Sequence, residues 1–168
     1  LIELKRYTVF PGQFLITSVP SLITTVLGSC VSVCLWDKSS GIAGLNHYLL
    51  PGNEQDAHGD SNRGFTATRM TVKSMINRHA NPELLEAKVF GGSSSLNPES
   101  DIFKIGKRNI ETAIEVLKEF DIPVVAQHVG GMYGRRIVFN TGTGKVRMRL
   151  LKHSSTEINE TIHKGFGY

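Results

Sequence analysis

A chain of 168 residues, 40% hydrophobic and 20% charged, is long enough for one domain with a real core, and the reading is a single domain over 1–168. Its apolar runs, such as 122–126, are strand-sized and far short of the roughly 20 residues of a membrane helix, so no membrane insertion is expected. The net charge of +4 invites a nucleic-acid partner, but no stretch joins clustered basic residues to interleaved aromatics, and no zinc-finger, RRM or KH pattern occurs. Nucleic acid is therefore not an expected partner.

In chain order, Arg6 to Phe10 and Gln13 to Thr17 read as short strands around a Pro11-Gly12 turn. Val31 to Trp36 alternates and is rich in β-formers. Asp37-Lys38-Ser39-Ser40-Gly41 is turn chemistry, and Ile42 to Leu50 reads as the returning strand, stopped at Pro51-Gly52. Residues 52–64 are polar and without period, a long loop. Thr66 to His79 carries an imperfect helical face, and Ala87 to Phe90 a short strand ending at Gly91-Gly92. Residues 93–106 read as a second long loop; both loops are lid candidates, because long structureless loops are usually functional or mobile.

The clearest helix is expected from Ile110 to Phe120, with Asn109 as N-cap and Glu111 in the first turn. Strands follow at Ile122 to His128, Arg136 to Asn140 and Lys145 to Leu150, the last two joined by Thr141-Gly142-Thr143-Gly144. The basic residues Lys145, Arg147 and Arg149 alternate with apolar ones, as on a strand with one solvated face. A final short helix is expected near Thr156 to His163. Hairpin-linked strands with two strong helices indicate an α+β fold.

Chemistry concentrates around two cysteines. Cys30 and Cys34, if on one strand, have Cα atoms roughly 13 Å apart, beyond disulfide reach. Unbridged cysteines, with no secretory signal near Leu1, suit a reducing compartment, and a cytoplasmic location is expected. Cys30 follows Gly28-Ser29, where free N–H groups of Ser29 and Cys30 could face a developing oxyanion. A thiol needs a base, and hairpin counting supplies one. If Asp37 opposes Ile42, paired numbers sum to 79. Ser32 then opposes His47, and Cys30 and His47 share a face as diagonal neighbours.

The ordinary readings stand beside this one. Free cysteine often fills a core, the expectation for Cys34, and a histidine in an apolar strand is often structural. His58, His79, His128, His153 and His163 are alternative partners for the thiol. Cys30, Cys34, His47 and His58 lack the close paired spacing of a zinc site, so no metal is expected, nor any cofactor. The glycine pairs lack the lysine and strand-to-helix context of phosphate loops.

These residues also resemble a family. LGSCVSVCLWD, then GIAGLNHYLLP, KVFGG at 88–92, IGKRNI at 105–110 and IPVVAQHVGGMYGRRIVFNTGTGKV at 122–146 are similar, in order and over nearly the whole chain, to the chemoreceptor glutamine deamidases (CheD). The resemblance implies a catalytic cysteine, a histidine seventeen positions later and a threonine six positions before the cysteine, here Cys30, His47 and Thr24. It implies two packed mixed β-sheets flanked by helices, similar to the catalytic domain of deamidating bacterial toxins. Implied partners are chemoreceptor cytoplasmic domains and a CheC-type phosphatase where the organism has one. The activity implied is hydrolysis of receptor glutamine side chains; the alternatives are methylester hydrolysis at the same thiol, or a regulator that docks on receptor or phosphatase with weak or no catalysis.

Overall fold

A computed structural model describes residues 3–56, 58–94 and 97–152. Nine strands are β1 (Lys5–Thr8), β2 (Phe14–Thr17), β3 (Ser21–Leu27), β4 (Val31–Asp37), β5 (Ala43–Asn46), β6 (Leu85–Gly91), β7 (Val124–Val129), β8 (Gly134–Asn140) and β9 (Lys145–Leu151). Two α-helices are α1 (Gly64–Asn77) and α2 (Asp101–Glu119). The strands form two mixed sheets, ordered β1-β3-β8-β9 and β2-β5-β4-β6-β7. In the first, β1 and β3 are parallel; in the second, β6 and β7 are.

Three layers result. One apolar cluster joins α1 and α2 to the second sheet, through Val31, Val33 and Leu35 against Ala67, Val72, Met75, Ala113 and Leu117. The other lies between the sheets, where Cys34, Ala43 and Leu45 meet Ile23, Leu27, Ile137 and Phe139. β4 is thus buried on both faces, which is why its alternate residues Val31, Val33 and Leu35 and its neighbours Ser32 and Cys34 are all covered. The far face of the first sheet carries the basic alternation: Lys145, Arg147 and Arg149 are exposed.

The β4–β5 hairpin has the expected register. Cys34 opposes Leu45, Leu35 opposes Gly44 and Trp36 opposes Ala43, and Val31 bridges Tyr48 beyond the strand end. Asp37 closes its turn by accepting hydrogen bonds from Ser39, Ser40 and the backbone N–H of Asn81.

Other expectations need correction. β1 and β2 do not pair with each other: the chain crosses between sheets at residues 9–13, so β1 lies along β3 and β2 along β5. The strand β3 has no counterpart in the sequence reading. The loop expected over 93–106 is shorter, because α2 starts at Asp101, capped by the Ser100 hydroxyl accepting from the Phe103 N–H. Gly106 is no helix breaker; a Cβ there would stand 2.9 Å from the carbonyls of Gly92 and Ser93, so its absence lets α2 lie against that loop. Asn109 is therefore buried mid-helix and is not an N-cap. α1 runs Gly64–Asn77, two residues earlier than expected at each end, and Gly64 is required where a Cβ would enter the Tyr48 ring at 2.3 Å. The helix expected at 156–163 lies outside the described residues.

Candidate active site

Three segments meet where the chain passes between the sheets. β3 belongs to the first sheet and β4 to the second, so Gly28-Ser29-Cys30 is the crossing. His47 follows β5 directly, and the residues just before β2 hold it in register: the His47 N–H donates to Gln13 O at 2.9 Å and its carbonyl accepts from Gly12 N at 2.8 Å. The register places Ser32 opposite His47, so Cys30 and His47 share the face that looks toward the first sheet. Cys30 packs on the same inter-sheet cluster as Cys34 and Leu45.

Across from that face, β3 turns Ile23, Thr25 and Leu27 inward. Thr25 Oγ1 lies 2.8 Å from His47 Nδ1, and its hydroxyl donates to Val9 O at 2.7 Å. A threonine has one proton to give. With that proton on the Val9 carbonyl, the oxygen accepts from Nδ1–H, and the imidazole carries its lone pair on Nε2. Nε2 is buried and has no hydrogen-bond partner among the described residues. The ring is thus held as a neutral base with one nitrogen unspent. Thr24, the threonine implied by the resemblance, points to the other face of β3, half-buried opposite Val138, and makes no side-chain bond to His47. The hydroxyl that holds the ring belongs to Thr25. Its signal was present in the sequence, since apolar Ile23 and Leu27 flank it at spacing two on one strand face.

Electrostatics agree with a neutral pair. Burial pushes His47 down to about 4, with the Val9 carbonyl opposing. Burial also pushes the half-buried Cys30 thiol up, while its own backbone N–H pulls the other way. Cys34 is fully buried, and burial raises it far more. Both cysteines are free.

The backbone around Cys30 is pinned from the end of β6. Gly92 N donates to Cys30 O at 2.8 Å, and Ser93 N to Gly28 O at 2.9 Å. Gly91 sits at φ +113°, where a Cβ would fall 2.1 Å from Cys30 O, so only glycine fits. Ser29 and Cys30, the expected oxyanion residues, donate their N–H groups to no backbone or side-chain oxygen among the described residues.

The alternative histidines are elsewhere. His128 lies exposed on β7, and its Nδ1 is 2.7 Å from Arg135, whose buried guanidinium also bonds the carbonyls of His128, Gly130 and Tyr133. His58 and His79 are exposed, and His153 and His163 lie outside the described residues. Among the described residues no three His, Cys, Asp or Glu side chains gather closely enough to hold a metal. A cleft of about 520 Å³ beside α1, lined by Asp56, His58, Phe65 and Arg69, includes none of Cys30, His47 and Thr25.

A free thiol, a buried imidazole and the threonine hydroxyl bonded to it lie at the junction of the two mixed sheets of an α+β protein. Residues 49–150 match the family described as CheD chemotactic sensory transduction, and the chain belongs to that family. Relatives named as probable chemoreceptor glutamine deamidase CheD include one from Trichlorobacter lovleyi, 42% identical over 85% of this chain and 89% of its own length. Others are from Agrobacterium fabrum, 36% identical over 91% of this chain and 84% of its own, and Chromobacterium violaceum, 37% identical over 94% and 80%. The crystal structure of Bacillus licheniformis hypothetical protein YfiH is similar at a TM-score of 0.45 and 18% identity, covering 68% of this chain and 49% of that one. No described helix is long and apolar enough to cross a membrane.

Proposed function

We propose that this chain deamidates glutamine side chains on the cytoplasmic domains of chemotaxis receptors, in the cytoplasm, by way of a thioester on Cys30. The observation that carries the reading is the His47 ring: Nδ1 held by Thr25, Nε2 buried and unspent, on the hairpin face it shares with Cys30. The names of the relatives supply the substrate class.

In this mechanism the thiol and imidazole rest neutral. His47 Nε2 takes the Cys30 proton as the sulfur attacks the carboxamide carbon, and the N–H groups of Ser29 and Cys30 stabilise the oxyanion. The C–N bond then breaks, the leaving nitrogen takes the proton from His47, and ammonia departs. Water, giving its proton to Nε2, attacks the thioester; the C–S bond breaks, the leaving sulfur takes that proton back from His47, and the side chain is left as a carboxyl group that ionises to glutamate. A CheC-type phosphatase, where the organism encodes one, is the second partner in this reading.

The test is incubation of a receptor cytoplasmic fragment with the wild-type protein and with Cys30→Ala, followed by ammonia release and peptide mass at glutamines. The expected result is replacement of NH₂ by OH with wild type alone. Equal conversion by Cys30→Ala removes the thiol from the mechanism. Binding to the fragment without ammonia release leaves a regulator, and methanol release from methylated receptor reports esterase chemistry at the same thiol.

A further inference from the structure

The β4–β5 ladder is interrupted at Val33, whose N–H donates to Asn46 Oδ1, resumes at one bridge between Val31 and Tyr48, and then opens at the cysteine. Val31 and Tyr48 exchange both backbone hydrogen bonds, at 3.2 and 3.0 Å. The next such pair in an antiparallel ladder would be Ser29 with Leu50. Leu50 instead turns away, donating to Asn62 O at 3.1 Å and accepting from Gly64 N at 2.7 Å. Ser29 is left with neither of its ladder bonds.

One side chain closes that gap. Asn109, fully buried in α2, donates from Nδ2 to Ser29 O and to Leu49 O, each at 2.9 Å. Its backbone carbonyl accepts from the Tyr48 hydroxyl, so α2 touches the hairpin from both sides of the opening. Its Oδ1 is buried and has no partner among the described residues. Burying an amide whose oxygen goes unused is unfavourable, so the residue is there for its N–H donors.

A peptide unit is planar, with its C=O and the following N–H pointing opposite ways. Holding the Ser29 carbonyl therefore aims the Cys30 N–H, just as Ser93 N, by holding the Gly28 carbonyl, aims the Ser29 N–H. With Gly92 N on Cys30 O, all three carbonyls of residues 28–30 are tied back, and the N–H groups of Ser29 and Cys30 donate to no oxygen among the described residues. We propose that Asn109 is a positioning residue for the reaction: its amide holds the opened hairpin so that the Cys30 N–H points at the oxygen of the substrate's carboxamide. This rests on the deamidase reading for its substrate, but its geometry applies to any acyl transfer at Cys30.

The experiment measures kcat and KM on the receptor fragment, turnover of p-nitrophenyl acetate, and the rate of Cys30 alkylation by iodoacetamide, for wild type, Asn109→Leu and Asn109→Ser. Alkylation displaces iodide at a saturated carbon and forms no oxyanion, so it senses only thiol and base; Cys34 is buried, and the label reports on Cys30. Expected is a fall in kcat of roughly 10- to 100-fold on both substrates, below the ~10²–10³ that follows outright loss of an oxyanion donor because the Cys30 N–H is misaimed and not removed, with KM and alkylation near wild type. Unchanged kcat overturns the proposal. So does a parallel loss of alkylation, or failure of both variants to fold, because Asn109 is then a structural strut. A wild type inert on receptor but active on the ester, with the variants slowed, sinks the deamidase reading and sustains this one. A wild type inert on both substrates sinks both.

Discussion

Thr25→Val is the substitution that asks most directly whether a hydroxyl holds the base. Valine nearly matches threonine in shape, so the inter-sheet packing around position 25, only 1% exposed, is kept. What disappears is the group that donates to Val9 O at 2.7 Å and meets His47 Nδ1 at 2.8 Å. Two buried polar groups are then left unpaired, each costing about 1–3 kcal/mol, so a loss of about 2–6 kcal/mol is expected. With His47 free to change tautomer and rotate, kcat falls roughly 10- to 100-fold, less than the ~10⁴ that follows when a charged carboxylate orienter is replaced. The comparison is Thr24→Val, on the opposite face, with stability within about 0.5 kcal/mol of wild type and unchanged turnover. Urea denaturation and deamidation kinetics on both variants decide the matter. Loss of turnover in Thr24→Val with Thr25→Val intact would refute the arrangement of the ring described above.

Two further outcomes follow from the same residues. Unfolded, His47 takes up a proton at its ordinary value of 6.5, and folded only near 4, so between these values the unfolded chain binds more protons and stability rises with pH. At roughly 1.4 kcal/mol per pH unit the gap corresponds to about 3 kcal/mol, present above 6.5 and lost as pH falls through 4; denaturation midpoints from pH 4 to 7 should flatten in His47→Gln, and an equal slope in that variant would place the proton elsewhere. Gly91→Ala brings a Cβ to 2.1 Å from Cys30 O at φ +113°, and should lose at least about 1–3 kcal/mol of stability through backbone strain alone, together with turnover. Gly41→Ala, also at positive φ but with nothing within 4 Å, should lose only about 1–2 kcal/mol and keep its turnover, as thermal melts and kinetics will show.

Local signals were legible in the sequence and long-range ones were not. The register summing to 79 came from a four-residue turn and two alternating strands, and Cys34 opposite Leu45 bears it out. The same counting had no purchase on β3, whose partner β8 lies more than a hundred residues on, with Thr25 opposite Ile137. Without that frame the threonine could be chosen only by its spacing from Cys30, and spacing does not say which face a residue occupies. Asn109 was misplaced for a related reason. Asparagine before an apolar helical run reads as a cap, and the loop expected over 93–106 carried Gly106 at its end. Only the loop packed against α2 shows that the glycine makes room and that the asparagine points inward.

The placement of the thiol follows from the crossing of the two sheets. Had β4 stayed paired on both sides past Val31, the Ser29 N–H would be spent on Leu50 and the Cys30 N–H on Gly92. Because β3 must leave for the first sheet, the ladder ends there, and the carbonyls released are taken up by Gly92, Ser93 and Asn109 while the N–H groups are not. That asymmetry turns an unpaired stretch of backbone, ordinarily a cost, into two donors beside a nucleophile. It also explains why three glycine-bearing segments far apart in sequence converge on residues 28–30: Gly28 is the crossing itself, Gly91-Gly92 supply the backbone that comes within bonding distance, and Gly106 lets α2 approach closely enough for Asn109 to reach.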